Sequence, residues 1–313
     1  MLLQPSLITG QAWDAVMQKC RCLLKIIIVA FFGIFALQKF LISPEKAPGK
    51  NNVPNIVHYV IFKNSSLDFI TFLSITSVIK NHAPELILIH TNATTAVCAG
   101  RYWKLVQNLA VYFHVEIRPT FYDVPTHVYG QRLSSVYHAS DVARLDILYK
   151  FGGIYLDTDS VVLKPLNEFF DYETTLACPE NDYVGNQVIV AAKGSKFIHL
   201  WLQSYKQYQP TKWYLNAGQY PTTLLEHRPG LARKLVHEFG VQNLLDELYV
   251  QNNWQGWKTL YAIHLLSRHP PSPQFVNENT VFDNTFGEIV RWILFDVKPK
   301  LVIEKMSWSF IDI

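Results

Sequence analysis

Between residues 56 and 157, short apolar runs rich in β-branched residues alternate with longer segments of helical periodicity. The runs are typical of buried strands and cover residues 56–62, 86–90, 115–117 and 154–157. Helices are predicted between them over residues 68–80, 103–110 and 134–150, the last one ending at Gly152-Gly153. This alternation predicts an α/β fold in which a mostly parallel sheet is covered by helices on both faces.

A different pattern occupies the N-terminus, where residues 23–42 are almost entirely apolar. The length of this run matches the ~20 residues that a helix needs to cross the hydrocarbon layer of a bilayer. Lys25 and Lys39 lie near its two ends, where long side chains can reach the headgroups. A cleaved signal peptide and a buried core helix are the alternatives. We predict a cytosolic tail over residues 1–22, a transmembrane signal-anchor over 23–42, a stem over 43–54 and a lumenal domain over 55–313.

The charge distribution favours one orientation of this anchor. Lys19, Arg21 and Lys25 precede the apolar run, so the positive-inside rule places the N-terminus in the cytosol and the body in the lumen, as in a type II protein. Residues 1–42 hold four of the 28 basic residues and one of the 25 acidic residues, which leaves the body electrically neutral. A neutral body argues against nucleic acid as a partner, because phosphate binding needs a basic surface.

Two further features suit a lumenal body. Asn64 and Asn92 each begin an N-x-[ST] sequon, and we predict that these asparagines are glycosylated. Cys98 and Cys178 can form a disulfide in an oxidising compartment, although the sequence leaves open whether they are close enough to pair.

The residues with the clearest chemistry lie between Ser140 and Leu166. Asp141 and Arg144 are three residues apart and share one face of the predicted helix. Asp157 and Asp159 follow an apolar run, and in extended chain their side chains point the same way. Two carboxylates then converge at the carboxyl end of a strand, where open α/β sheets bind ligands. A divalent cation shared with substrate phosphates would offset their mutual repulsion.

The spacing of these residues is specific: S-D-x-x-R from Ser140 to Arg144, then seven residues, then G-G-x-Y-x-D-x-D ending at Asp159. This pattern resembles the DXD region of the α-1,4-galactosyltransferase and α-1,4-N-acetylglucosaminyltransferase family. It is more distantly similar to that of yeast-type α-1,6-mannosyltransferases and clostridial glucosylating toxins. Segments 55–60, 186–190 and 261–265 resemble further elements of the family, and 218–221 matches in part.

The resemblance implies the A-type glycosyltransferase fold, a single Rossmann-like domain. It also implies a metal-dependent, retaining enzyme of the Golgi membrane, most like the α-1,4-galactosyltransferases. Such an enzyme moves a hexose or N-acetylhexosamine from a UDP-sugar, with Mn²⁺ or another divalent cation, to a glycolipid or glycan acceptor. The donor sugar and the acceptor stay open.

The family's functional residues carry over onto matching positions of this chain. The implied metal ligands are Asp157, Asp159 and His264, with Asp159 as the principal one. The implied catalytic residues are Asp157, Asp159 and Arg144. The implied donor contacts are His58, Tyr59, Val60, Asp141, Arg144, Tyr155, Asp157 and Asn186.

Structural alternatives exist for several of these residues. Arg144 and Asp141 can form only a helix pair, His58 and His264 can be core histidines, and Asn186 can satisfy loop backbone. Trp213, Trp254 and Trp257 could stack on acceptor sugars, although most tryptophans lie in cores.

Two other functions also fit the acidic segment. The D-x-D-x-[TV] pattern occurs in phosphatases of the haloacid-dehalogenase type, in which Asp157 would be the nucleophile. A membrane-tethered, non-catalytic carbohydrate-binding relative is the third possibility.

Overall fold

The computed structural model describes residues 53–62, 65–273 and 283–296. The predicted tail and anchor, most of the predicted stem, and Asn64 lie outside the described residues. No helix among the described residues is long and apolar enough to cross a membrane.

The strands, numbered in chain order, are short. They are β1 (Ile56–Ile61), β2 (Leu86–Thr91), β3 (Glu116–Phe121), β4 (His127–Val128), β5 (Gln131–Arg132), β6 (Gly153–Leu156), β7 (Ser160–Val162), β8 (Thr174–Ala177), β9 (Val188–Ala191), β10 (Arg233–Leu235), β11 (Phe239–Gly240) and β12 (Ala262–His264). The α-helices are α1 (Phe69–Asn81), α2 (Thr94–Val97), α3 (Arg101–Tyr112), α4 (Val136–Phe151), α5 (Lys196–Ser204), α6 (Tyr220–His227) and α7 (Thr285–Arg291).

The short remaining helical turns occur mainly in the C-terminal part of the chain. The 3₁₀ turns are Asn167–Phe169, Tyr205–Gln207, Pro229–Leu231 and Gln255–Thr259, and the π turns are Leu215–Gln219, Asp246–Val250 and Trp292–Asp296.

Seven strands form the central sheet in the order β10-β8-β9-β6-β1-β2-β3. The strands β6, β1, β2 and β3 run parallel to one another, β10 is parallel to β8, and β9 is antiparallel to both of its neighbours. The predicted α/β class with a mostly parallel sheet is therefore confirmed.

The order of the parallel strands reverses beside β1. The chain moves outward from β1 through β2 to β3 and then returns to place β6 on the other side of β1. In open α/β sheets, ligands bind at the carboxyl ends of the strands at such a switch point. Here that point lies where β1 ends at Ile61 and β6 ends at Leu156, directly before Asp157.

Helix starts and stops follow local side-chain chemistry. The Asp68 side chain caps α1 by accepting from the Thr71 amide at 2.8 Å. Ser135 caps α4 in the same way, through the His138 amide, so this helix begins at Val136. The helices predicted over residues 68–80 and 134–150 are thus confirmed to within two residues at each end.

The turn from α4 into β6 depends on its two glycines. Gly152 and Gly153 have φ of 68° and 108°, in the region that disfavours side chains. A Cβ atom on Gly152 would lie 2.5 Å from the Lys193 amide nitrogen, and one on Gly153 would lie 2.5 Å from the Ile56 carbonyl oxygen. The pair therefore lets β6 enter the sheet beside β1 and sets the direction in which Asp157 leaves it.

The sheet separates two hydrophobic clusters. Val57, Tyr59 and Ile61 of β1 pack in the cluster that includes α1 and α3, and Val60 packs in the cluster that includes α4 and α5. Both faces are buried, which explains why the parallel strands read as continuous apolar runs. A second, three-stranded sheet, β11-β12-β7, continues from the end of β6 and contributes a third cluster with α7.

Candidate active site

A cleft of about 640 Å³ lies at the switch point between β1 and β6. One side is formed by residues 60–62 and 68–71, after β1 and at the start of α1. The first turns of α4, together with Trp213 and Tyr214, form the other side. Between them lie Asp157, Asp159 and His264. The carboxylates predicted from the sequence therefore line the cleft at the place where this kind of fold binds ligands.

Asp157 and Asp159 converge through a turn and not along a strand. The amide of Ser160 donates to the Asp157 carbonyl at 2.9 Å, and the Asp157 amide donates to the Gln187 carbonyl at 2.9 Å. The prediction of an extended backbone here is wrong, because β6 ends at Leu156 and the chain reverses into β7. The turn still brings one ligand atom each from Asp157, Asp159 and His264 within 4.8 Å of one another.

Arg144 is the centre of the charge network on the α4 side. Its guanidinium lies 3.1 Å from Asp141 Oδ1 and 3.1 Å from Asp157 Oδ1. It donates to the Asn186 carbonyl at 2.7 Å, and it also lies 4.5 Å from the centre of the Tyr155 ring. The interpretation as a helix pair alone is therefore incomplete, since Arg144 connects α4 to the acidic turn.

These contacts leave Arg144 little freedom to bind a substrate directly. Its side chain is 6% exposed, and Nε and a terminal nitrogen also contact Ser140. Burial lowers the pKa of Arg144, but Asp157, Tyr155 and Asp141 together raise it above its usual value. Arg144 is thus a permanent cation that holds the two carboxylates in place.

Asp141, Tyr155 and Asn186 complete this network. The Asn186 side chain donates to Asp141 Oδ1 at 2.8 Å, and the Tyr155 hydroxyl donates to Asp157 Oδ1 at 2.8 Å. Burial raises the pKa of Asp141, an effect that the Arg144 charge partly offsets. Burial also holds the pKa of Tyr155 well above its usual value, so the phenol stays protonated and can donate. The structure brings these predicted residues together at the cleft.

Asp159 belongs to a second, separate network. Its Oδ1 lies 3.2 Å from His264 Nε2, and its Oδ2 accepts from the Ser267 amide at 3.0 Å and from the Ser267 hydroxyl at 2.9 Å. Burial would raise the pKa of Asp159, but His264 and the Ser267 hydrogen bonds hold it well below its usual range. Burial likewise opposes protonation of His264, yet the Asp159 carboxylate raises the pKa of this imidazole above its usual value.

His264 reaches this position through a long-range strand pairing. β12 is antiparallel to β7, and His264 lies opposite Ser160, the residue after Asp159. The Leu265 amide also donates to the Asp159 carbonyl at 2.8 Å. Two backbone contacts therefore fix the imidazole beside the acidic turn.

The donor set of Asp157, Asp159 and His264 fits a divalent cation. Two carboxylate oxygens and one imidazole nitrogen are ligands that Mn²⁺ and related ions accept in proteins. His264 and Asp159 already face each other through the atoms that would bind an ion. The predicted metal site is thus chemically consistent with the residues present.

Two predicted donor contacts lie outside the cleft. The side chain of His58 is fully buried, where it hydrogen-bonds to His90 at 3.0 Å and to the Gly152 carbonyl at 2.8 Å. The hydroxyl of Tyr59 bonds to that of Ser74 at 3.0 Å within the core. The side chains of His58 and Tyr59, predicted as donor contacts, are therefore not part of the cleft, whereas Val60 lines it. Burial lowers the pKa of His58 to about 4, as expected for a neutral core histidine.

Sequence reasoning missed two residues of the site. Ser267 holds Asp159, and Arg268 lines the cleft with an exposed side chain that lies 4.2 Å from the centre of the Tyr137 ring. The only signal for them is a polar Ser-Arg-His stretch shortly after His264. Its position beside Asp159 follows only from the pairing of β12 with β7.

The remaining predicted residues fall at the surface or in the core. Cys98 and Cys178 are free thiols in the structure. Asn92 is exposed at the end of β2, in the position of an accessible sequon. Trp257 is buried and Trp254 packs against the hydrophobic cluster that contains it, so of the three proposed stacking residues Trp213 is the one that lines the cleft.

Comparisons with known proteins point to one class. Residues 71–176 match the family model described as the glycosyltransferase sugar-binding region containing a DXD motif. The chain is 28% identical over 274 residues to glucan organizing enzyme 1 of Cryptococcus neoformans var. grubii, a match that covers 76% of this chain and 70% of the relative. It is 30% identical over 127 residues to human lactosylceramide 4-alpha-galactosyltransferase, covering 39% of this chain and 35% of that protein.

Solved structures give weaker similarities. A crystal structure of an active-site mutant of LgtC aligns with a TM-score of 0.44 at 13% identity, covering 80% of this chain and 99% of that one. The PaToxG glycosyltransferase aligns with a TM-score of 0.37 at 18% identity, covering 57% and 71% of the two chains.

Proposed function

We propose that this chain is a glycosyltransferase of the DXD type, because residues 71–176 match the sugar-binding region that contains this motif, and that it transfers a sugar from a UDP-sugar to a glycolipid or glycan acceptor. The transferred unit is a hexose or an N-acetylhexosamine. The new linkage is α, with retention of configuration, as in the α-1,4-galactosyltransferases, and the catalytic domain has the A-type fold. The observation that carries the proposal is the placement of Asp157, Asp159 and His264 beside the network of Asp141, Arg144 and Asn186.

The leaving group of this reaction is a nucleoside diphosphate, which gains negative charge as the bond to the sugar breaks. A divalent cation held by Asp157, Asp159 and His264 would act as a Lewis acid for that charge. The protein's own contribution is to keep both carboxylates oriented: Arg144 holds Asp157, and Ser267 with His264 holds Asp159. Preorganised groups of this kind do not reorient during the reaction.

Arg268 supplies a cation that Arg144 cannot. Arg144 is buried and its nitrogens face protein oxygens, whereas the Arg268 side chain is exposed within the cleft. We assign Arg268 to the phosphate oxygens of the donor, and Arg144 to positioning. Guanidinium groups suit this task because they stay charged and match the geometry of phosphate oxygens.

Asp141 and Asn186 are assigned to the transferred sugar. The Asp141 side chain is 13% exposed at the cleft, and its Oδ1 is already held by Arg144 and Asn186. A fixed carboxylate can accept hydrogen bonds from sugar hydroxyls with little loss of conformational entropy.

The location of the enzyme is part of the proposal. The apolar run over residues 23–42 supports a single-pass, type II anchor, with the catalytic domain in the Golgi lumen. The exposed position of Asn92 is consistent with a glycosylated lumenal domain.

The phosphatase interpretation loses its basis, because the matched sugar-binding region includes Asp157 and Asp159. A donor screen separates the remaining alternatives. Full-length protein in detergent is incubated with Mn²⁺ and single nucleotide sugars, and release of the nucleoside diphosphate is measured with and without lactose. Release of UDP from one UDP-sugar by the wild type, and its loss in Asp159→Asn, is expected. No release from any donor would refute the enzyme and favour a non-catalytic relative.

A further inference from the structure

Two large aromatic side chains are exposed at the mouth of the cleft, on the side of α4. Trp213 is 56% exposed and Tyr137 is 44% exposed, and both line the cleft. Their ring centres are 5.5 Å apart at an interplanar angle of 67°, an edge-to-face pair. We call this pair the aromatic rim. Two exposed aromatic side chains in contact with each other beside a polar cleft indicate a binding surface.

Trp213 is held in place although it is exposed. The buried imidazole of His138 lies under it, with ring centres 5.0 Å apart, and His138 Nε2 lies 3.2 Å from the Trp213 carbonyl oxygen. His138 Nδ1 is fixed in turn by the Tyr208 hydroxyl at 2.5 Å. If the tyrosine hydroxyl donates to Nδ1, then Nε2–H donates to the Trp213 carbonyl. A buried polar chain thus supports an exposed indole, an arrangement that reduces the entropy lost on binding.

The other member of the rim is fixed as well. Tyr137 lies on the first turns of α4, and the guanidinium of Arg268 lies 4.2 Å from its ring centre. Tyr137 and Asp141 are four residues apart on α4, so they occupy the same helix face one turn from each other. The aromatic rim therefore adjoins the carboxylate that the proposed function assigns to the transferred sugar.

These positions define the chemistry of the ligand. A pyranose ring has an apolar face of C–H groups and a periphery of hydroxyls. The indole of Trp213 suits that face, and a phenol hydroxyl such as that of Tyr137 can exchange hydrogen bonds with the hydroxyls. We place the nucleoside half of the donor against residues 60–62 and 68–71, which also line the cleft.

We propose that the aromatic rim of Trp213 and Tyr137 is the subsite in which a pyranose ring of the acceptor stacks. This inference rests on the proposed function, since it assigns the acceptor side of the same cleft. The competing occupant is the nucleobase of the donor, because a planar base would also stack on an indole.

The test compares Trp213→Ala and Trp213→Phe with Tyr112→Ala, a matched control. Tyr112 is 46% exposed on α3 and does not line the cleft. With lactose as the acceptor probe, Trp213→Ala is expected to raise the acceptor KM by about tenfold, the effect of removing one aromatic anchor. The acceptor KM of Trp213→Phe should lie between those of Trp213→Ala and the wild type, and the acceptor KM of Tyr112→Ala should equal that of the wild type.

UDP release without acceptor separates the two occupants. For an acceptor subsite, this hydrolysis and the donor KM stay within about twofold of the wild type in Trp213→Ala. A raised donor KM with an unchanged acceptor KM would assign the rim to the nucleobase and overturn the proposal. Unchanged values for both substrates would overturn it too. Thermal unfolding verifies that each variant is folded.

A binding measurement tests the rim without turnover. Lactose, N-acetyllactosamine, maltose and cellobiose are titrated into the protein with UDP and Mn²⁺, and tryptophan fluorescence is followed. A saturable change in the wild type and in Tyr112→Ala, absent in Trp213→Phe, is expected. No change with any of the four disaccharides would refute the rim as a sugar site. If donor hydrolysis fails but this titration succeeds, the enzyme assignment fails alone.

Discussion

Arg144→Lys tests whether the centre of the charge network positions the acidic turn. Lysine keeps the positive charge, but its single ammonium cannot reproduce the guanidinium, which contacts Asp141, Asp157 and the Asn186 carbonyl at once. At least one of these three partners then loses its contact with the side chain at position 144. Asp157 is partly exposed at the cleft, but Asp141 and Asn186 are buried, so water replaces a hydrogen bond lost there only poorly.

The size of the effect follows from the charge on the groups involved. A hydrogen bond to a charged group contributes about 1.5–3 kcal/mol, so we expect the free energy of unfolding to fall by about 2 kcal/mol. For a domain of this size that corresponds to a decrease in Tm of about 4–8 °C. The looser orientation of Asp157 should lower kcat/KM at least about tenfold, or about 1.4 kcal/mol of transition-state stabilisation.

Arg118→Lys is the matched control. Arg118 pairs with Glu116 at 3.3 Å, but these two side chains are 59% and 60% exposed. Such surface pairs contribute little, so the control should keep both stability and turnover. Thermal unfolding and UDP-release kinetics are measured for the wild type and both variants.

The dependence on Mn²⁺ distinguishes positioning from substrate contact. If Arg144 acts by orienting Asp157, Arg144→Lys should raise the Mn²⁺ concentration needed for half-maximal activity. A donor KM that rises while the Mn²⁺ requirement stays constant would instead show direct binding of the donor. Wild-type stability together with wild-type turnover would refute the reasoning and leave only the pair with Asp141 on α4.

Other parts of the molecule allow three further predictions. Asp159→Asn keeps a carbonyl for Ser267 but removes the charge beside His264. The rate of transfer should therefore fall at least about a hundredfold, and the free energy of unfolding should fall by about 2 kcal/mol. EDTA should cause the same loss of activity in the wild type, and full activity in EDTA would contradict the metal site. Burial lowers the pKa of His82 to about 4 from 6.5, so the unfolded chain takes up the proton first as pH falls. Stability is then intact above pH 6.5 and declines towards pH 4, by about 2 kcal/mol at pH 5, and urea unfolding of His82→Gln should lack this part of the decline; an identical pH dependence in both proteins would refute it. Asn92→Gln should remove an endoglycosidase-sensitive mass shift of protein made in sealed microsomes, and a wild type without that shift would contradict glycosylation at this site.

The parallel part of the sheet could be predicted because local signals there agree with the fold. Strands β1 and β2 are buried on both faces, so they appear in the sequence as runs dominated by Ile, Leu and Val. Asp68 marks the start of α1, and Gly152 marks the end of α4. Each signal acts within a few residues of the element that it defines.

The C-terminal part of the fold could not be predicted in this way. Strands β11 and β12 have only two and three residues, too few for a period to show, and π turns interrupt the helices around them. His264 lies beside Asp159 because β12 pairs with β7, a contact between residues more than a hundred positions apart. Only the resemblance to a family suggested a role for His264, since no spacing rule connects it to the acidic turn.

The acidic turn itself shows how a correct conclusion can rest on an incorrect geometry. Extended backbone would place both carboxylates side by side, but Asp157 and Asp159 leave the chain in a turn and contact different partners. The repulsion expected from the sequence is therefore relieved within the protein, by Arg144 for Asp157 and by His264 for Asp159. The sequence could not show this division, because Arg144 lies on α4, before the turn in the chain, and His264 lies on β12, far after it.

Arg144 and His264 compensate the charge of the acidic turn in different ways, and this difference affects how a donor can bind in the cleft. Arg144 is buried and permanently charged, so its compensation of Asp157 and Asp141 persists whatever is bound. His264 is compensating only while it carries a proton. Four aspartates (Asp68, Asp141, Asp157 and Asp159) and two arginines (Arg144 and Arg268) line the cleft, so its formal charge is negative even when His264 is protonated, and this charge opposes a diphosphate. The donor is therefore expected to bind together with a divalent cation, and a cation at the acidic turn would serve recognition of the substrate as well as departure of the leaving group.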